Sequence, residues 1–206
     1  MNKTAKLALL SLLSLSAAVA ACKTGDTTDG TGGAGGTGTP PDGPTMSERI
    51  DALETCTPTD LVRILPWTGP AFDPATGELI EPLPEGHVEA VVNGWSRQDE
   101  EALALRKEHG EKTFVDVFSR DGLLGFESVE SVECGIAISH TLWRDETAMF
   151  NFVGGEAHAA AMADADKIHE ATAGAHWKSP ARAVAPTWEE GIDRYIEEVR
   201  KDLAED

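Results

Sequence analysis

The run Ile136-Ala-Ile-Ser-His-Thr-Leu-Trp143 constrains the fold more than any other part of the chain. Side chains alternate across a strand, so Ile136, Ile138, His140 and Leu142 share one face. Ala137, Ser139, Thr141 and Trp143 share the other. The strand leads straight into a helix. Asp145 is placed to cap a helix starting near Glu146, and Gly154-Gly155 interrupts it. An alanine-rich helix is then expected from Glu156 to about Glu170.

The flanking sequence supplies partners for that strand. His87 to Trp95 reads as a strand, with Val88, Ala90 and Val92 facing one way and Glu89, Val91, Asn93 and Trp95 the other. Ser96 followed by Asp99 has the spacing of a capping box, and a helix runs on through Leu103 and Leu105 to about His109. Gly110 is expected to break or kink it, and Phe114, Val117 and Phe118 resume it. Asp121-Gly122 is a turn, and Leu124, Phe126 and Ser128 alternate with Glu127 and Val129 in a second strand. Glu133-Cys134-Gly135 closes a hairpin onto the central strand. Gly174 to Ser179 is the fourth strand. Thr187 and Glu190 form a capping box for a last helix, whose apolar stripe is Trp188, Ile192, Tyr195, Ile196, Val199 and Leu203.

The order is β-α-β-β-α-β plus a C-terminal helix, an α+β fold of the ferredoxin-like kind. Two helices would cover one face of a four-stranded antiparallel sheet. The other face carries Leu or Ile at half its positions and needs cover. A second copy would supply it, so a homodimer is expected. Upstream, residues 45–86 form an N-terminal elaboration on the 87–206 domain. It holds a short helix from Met46 to Thr55, a β-compatible run from Leu61 to Leu65, a turn at Pro66 to Gly69, and a hairpin loop from Ala71 to Ile80.

The first 44 residues follow another logic. Lys3 and Lys6 precede an apolar run from Leu7 to Leu15, too short to span a bilayer as a helix. It ends in Val19-Ala20-Ala21-Cys22, the pattern of a bacterial lipobox. Residues 1–21 are then a lipoprotein signal peptide, and Cys22 is the lipidated N-terminus. Lys23, where aspartate would retain the protein in the inner membrane, points to the outer membrane facing the periplasm. Residues 22–44 are the modified cysteine and a tether. Eight of the 22 residues from 23 to 44 are Gly, six Thr and three Pro, so the segment cannot bury enough surface to offset its ordering entropy.

Charge and cysteine usage narrow the partners. The chain carries 17 basic and 36 acidic residues, a net −19, which excludes nucleic acid and anionic lipid as natural partners of the domain. The membrane link is through the lipid. Cys56 and Cys134 remain, and an oxidising compartment points to a disulfide between them. No G-x-S-x-G, P-loop, H-E-x-x-H or G-x-G-x-x-G pattern is present.

Gly122-Leu-Leu-Gly-Phe-Glu-Ser-Val129, His140-Thr-Leu-Trp143, Phe152-Val153 and Ala157-His158-Ala-Ala-Ala-Met162 resemble the dimeric α/β-barrel superfamily that includes the antibiotic-biosynthesis monooxygenase-like proteins. The Thr-Leu-Trp-Arg-Asp-Glu spacing and the closing Pro186-Thr-Trp-Glu-Glu190 are most similar to the spheroidene monooxygenase-like branch. The resemblance covers roughly residues 87 to 194. It implies oxidation of a small apolar or aromatic molecule, with haem as the cofactor to test. In haem-degrading members an Asn, a Trp and a His stand where this chain has Asn93, Phe152 and Met162, so only the Asn is kept. The spheroidene monooxygenase-like branch has a histidine where His158 stands. By that resemblance His158 is the cofactor ligand or proton-transfer residue and Asn93 the polar orienting group. His158, Met162, Ala165 and His169 would line one face of the second helix. Trp95, His140, Trp143, Phe152 and Met162 are the candidate pocket residues. A non-catalytic small-ligand-binding or structural lipoprotein on the same fold is the alternative.

Overall fold

The computed structural model describes residues 43–205. The expected signal peptide, Cys22 and the expected tether up to residue 42 lie outside the described residues. Among the described residues no helix is long and apolar enough to cross a membrane.

The elements in chain order are α1 (Met46–Thr55), β1 (Val62–Thr68), β2 (His87–Ser96), α2 (Glu100–Ser119), β3 (Leu123–Ser131), β4 (Ile136–Trp143), α3 (Glu146–Val153), α4 (Glu156–Ala163), α5 (Ala165–Ile168), β5 (His169–Ser179) and α6 (Trp188–Glu205). The sheet order is β1-β3-β4-β2-β5, and every neighbouring pair is antiparallel. Leaving β1 aside, this is the ferredoxin-like β-α-β-β-α-β arrangement. β4, the third strand of that unit, pairs on both sides, His140 lying opposite Val91 on β2 and Glu127 on β3.

The two sheet faces are covered by different parts of the chain. On one, Val88, Phe126 and Trp143 pack under Val117 of α2 and Ala148, Met149 and Phe152 of α3. On the other, Val91, Trp95, Val129, Ile136 and Ile138 pack under Ile50 and Leu53 of α1 and Trp188, Tyr195, Ile196 and Val199 of α6. Trp67, Phe72 and Leu83 close the same face over Leu142. The face for which the sequence argued a second copy is thus covered from within the chain. Each large apolar side chain so buried contributes roughly 1.5–3 kcal/mol, so α6 is firmly held.

Local chemistry explains the elements. Thr45 and Glu48 form a reciprocal capping box at α1, and Thr187 and Glu190 form another at α6. Asp145 accepts from the Ala148 amide at 2.8 Å and starts α3 as the sequence implied. Cys56 and Cys134 form the expected disulfide, with Cα atoms 6.2 Å apart, and tie the end of α1 to the β3–β4 turn.

Four expectations are corrected. The cap of α2 is Asp99, whose carboxylate accepts from the Ala102 amide at 2.9 Å, while Ser96 stays in β2. Gly110 does not break α2, because it lies on the buried side beside His109, which is anchored to Asp164 at 2.9 Å. β1 continues through Pro66 to Thr68, which an edge strand permits, since a proline there removes no ladder bond on the free side. The helix expected to reach Glu170 ends at Ala163. Asp164 leaves helical geometry (φ −107°, ψ 10°), and its carboxylate is taken by His109 and Lys167. His169 is therefore the first residue of β5 and not a member of a helical face with His158.

Candidate functional site

Three inward-facing ionisable side chains meet on the sheet face beneath α6. Glu89 comes from β2, Glu127 from β3 and His140 from β4. Their exposures are 3 %, 0 % and 0 %. Strand alternation puts them there: Glu89 shares its face with Val91 and Trp95, Glu127 with Val129, and His140 with Ile138. The His140 ring lies between the two carboxylates. Its Nε2 is 3.3 Å from Glu89 Oε2, and its Nδ1 is 3.7 Å from Glu127 Oε1.

The second layer fixes the ring. Trp67 meets it edge-on at 4.9 Å, with its own Nε1 donating to the Pro186 carbonyl at 3.1 Å. Gly191 of α6 crosses directly over the imidazole, where an added Cβ would lie 2.8 Å from Cε1 and 2.9 Å from Nδ1. Glycine is thus what lets α6 approach. His87 places Nε2 3.4 Å from Glu89 Oε1, and its Nδ1 lies 2.8 Å from the Pro84 carbonyl, so that nitrogen carries a proton. Arg182 links the cluster to α6: it is 3.9 Å from Glu89 and donates to Glu190 at 2.6 Å.

The charge state follows. Burial alone would drive a proton off His140, but the hydrogen bonds and charges of Glu127 and Glu89 outweigh it and raise its pKa. Burial alone would raise Glu89, but His140, His87 and Ser179 outweigh it and hold that carboxyl well below the usual range. The His140 ring thus lies between two carboxyl groups, and the directions for His140 and Glu89 both favour a charged pair. Only Glu89 of the three reaches a surface cleft. That cleft holds about 300 Å³ between the end of β5 and the first half of α6, and it is bordered by Trp177, Ser179, Arg182 and Arg194.

The residues singled out from the sequence divide between the two sheet faces. Asn93, Trp95 and His140 lie on the α6 side. Asn93 is fully buried facing the Tyr195 hydroxyl, whose pKa burial raises, and the Arg49 guanidinium stands 5.6 Å from the Trp95 ring centre. Trp143, Phe152 and His158 lie on the α2–α4 side. Trp143 stacks on Phe152 at 5.4 Å and donates to Thr141, while His158 meets Phe152 edge-on at 4.9 Å. Met162 packs with Ala161 at the end of α4. His158 and Asn93 therefore do not share a site, and the candidate pocket residues do not line one cavity.

Haem does not fit at His158. The residue is 4 % exposed with its ring against Phe152, and burial lowers its pKa. A groove of about 800 Å³ between α2 and α4 is bordered by Ala157 and Ala160 and not by His158. Among the described residues no group of three or more His, Cys, Asp or Glu is placed to hold a metal ion.

Glu89, Glu127, His87, Arg182 and Trp177 were not singled out from the sequence as site residues. A signal existed for the two carboxylates. Each places a charge on the strand face that also carries Val91 and Trp95 or Val129, and a charge in that register is either paired or expensive.

No protein-family model matches this chain, and no curated protein does. Solved structures share part of its architecture. Rv0793 from Mycobacterium tuberculosis matches 49 % of this chain and 95 % of its own, at 15 % identity and a TM-score of 0.40. SnoaB from Streptomyces nogalater, described as a cofactor-independent oxygenase, matches 50 % and 99 %, at 13 % identity and a TM-score of 0.37. PA3566 from Pseudomonas aeruginosa matches 46 % and 95 %, at 11 % identity and a TM-score of 0.40.

Proposed function

We propose that this chain is an envelope lipoprotein, held to the outer membrane through Cys22, whose folded unit captures a small molecule in the cleft over Glu89. The supporting observation is the buried Glu89–His140–Glu127 cluster behind that cleft. Taking such ions out of water costs several kcal/mol each, and apolar residues of similar volume commonly serve stability as well or better. Perturbed titratable groups beneath a cleft mark functional sites more often than ordinary core positions do.

The same electrostatics favour binding over general-base catalysis. An effective base has a pKa near the working pH. Glu89 is held well below the usual carboxylate range, so it takes up protons poorly. It serves better as a fixed charge that holds the His140 ring behind the cleft floor. The monooxygenase-like chemistry of the family the sequence resembles is the second reading. In its favour, an indole suited to a planar substrate, Trp177, borders the cleft 6.5 Å from the His140 ring.

The test is a fragment library screened by amide-shift mapping. Hits should cluster on Glu89, Trp177, Ser179 and Arg182 and disappear in Glu89→Ala. Hits gathering elsewhere, or none at the cleft, would end the reading. Oxygen uptake with the bound hits decides the second reading: substrate-dependent uptake supports it, and none refutes it.

A further inference from the structure

We infer that the ligand of this cleft is a small organic anion with a planar apolar body, a single ring bearing a carboxylate being the simplest case. The inference rests on the binding function just proposed and names its ligand class.

The balance of donors and acceptors around the cleft argues for an anion. Glu89 forms its floor but is turned inward, with His140 Nε2 3.3 Å from Oε2 and His87 Nε2 3.4 Å from Oε1. The buried imidazolium offsets its charge from behind. Glu190 is likewise engaged, accepting from the Thr187 amide at 2.8 Å and from Arg182 at 2.6 Å. Few acceptors are left for a cationic ligand. Donors remain: a guanidinium carries five N–H groups in a planar fork. Arg182 uses that fork on Glu190, and its 3.9 Å approach to Glu89 is beyond hydrogen-bonding distance. Arg194 is held by Glu197 and Glu198 of its own helix. Glu190 and Glu197 are 52 % and 67 % exposed. Such exposed pairs are worth about 0–1 kcal/mol, so a ligand carboxylate can replace the Arg182–Glu190 pair at little cost and bind bidentately, while Glu198, 15 % exposed, holds Arg194 more firmly. Lys178, the third cation at the rim, is paired with Glu146 at 2.9 Å.

The walls set the rest of the ligand. Trp177 presents an indole and Pro180 an apolar ring on the β5 side. A cleft of about 300 Å³ lies at the lower end of small-molecule sites, which suits one ring and not a fused polycycle.

Benzoate, benzamide and benzylamine share one ring and differ in charge, so they separate the alternatives. Each is titrated into the full chain and followed by Trp fluorescence and by amide shifts of β5 and α6. Benzoate should bind at least tenfold more tightly than benzamide, and benzylamine most weakly. The preference should vanish in Arg182→Gln and fall in Arg194→Gln. Should Arg182→Gln fail to fold, Arg194→Gln carries the test, and its failure to reduce the preference overturns the inference. Equal binding of benzoate and benzamide, or tighter binding of benzylamine, overturns the anion assignment while leaving the cleft as a small-molecule site. No cleft response to any of the three overturns both this inference and the reading beneath it.

Discussion

His140→Leu is the sharpest perturbation of the buried cluster. Leucine nearly fills the imidazole volume, so the change removes charge with little cavity. It leaves Glu89 and Glu127, 3 % and 0 % exposed, without the cation between them. Breaking a buried ion pair by deleting one partner costs roughly 3–5 kcal/mol. For a domain of this size that lowers Tm by about 6–20 °C, at about 2–4 °C per kcal/mol. The pH dependence in the acid range should also change sign. In the native protein Glu89 has a depressed folded pKa, so its contribution is present above its unfolded pKa and lost as pH falls through the acid range. His140 has a raised folded pKa, so its contribution is complete below about pH 6.5 and lost as pH rises through the folded value. In His140→Leu the alkaline loss should disappear. Two buried carboxyls without the imidazole between them then favour protonation, so stability should rise as pH falls toward about 5. Adding Glu89→Gln and Glu127→Gln should recover much of the loss. Urea denaturation from about pH 3 to 9 measures all of this. A cost below about 1 kcal/mol at pH 7, with an unchanged pH profile, would refute the reasoning.

Other outcomes follow from the same contacts. Gly191→Ala should destabilise by about 1–3 kcal/mol despite alanine's higher helix propensity, because the new Cβ would meet the His140 ring at 2.8 Å. Combined with His140→Ala the same substitution should become neutral or stabilising, and a double-mutant cycle reads the coupling. Replacing both Cys56 and Cys134 by alanine should cost about 4–5 kcal/mol, from the loop of sequence separation 78 that their disulfide closes, read as a lower urea midpoint at unchanged cleft binding. His158→Ala should lower stability by about 2–4 kcal/mol through lost packing, and added haem should give no Soret shift in either protein. Cys22→Ser should abolish acyl labelling and release the chain from membranes into the soluble fraction.

Much of the fold was legible in local pattern. The β4 alternation, the Asp145 cap and the Thr187–Glu190 box each act within a few residues, so they act in sequence as they do in space. The differences lie where a distant contact overrides local preference. The alanine-rich run from Glu156 to Glu170 favours one helix, but Asp164 is engaged by His109 from α2, and the chain turns out into β5. Pro66 reads as a turn, yet an edge position tolerates it. The expectation of an uncovered sheet face treated residues 45–86 and α6 as appendages, while Ile50, Leu53, Trp67 and Tyr195 are the cover of that face. The site was harder to see, for the same reason. Glu89, Glu127 and His140 lie far apart in sequence and are joined only by strand register. The resemblance drew notice to His158 and Asn93, which the sheet separates.

The central claim is that a protonated imidazole sits between two buried carboxylates behind the cleft. Nitrogen-15 NMR of the His140 ring between pH 5 and 9 tests it directly. The account predicts two protonated ring nitrogens near neutral pH and a half-titration point above about 6.5, the value of an unperturbed histidine. It also predicts that this point falls in Glu127→Gln. A neutral His140 at pH 6, or a titration indifferent to Glu127, would contradict it.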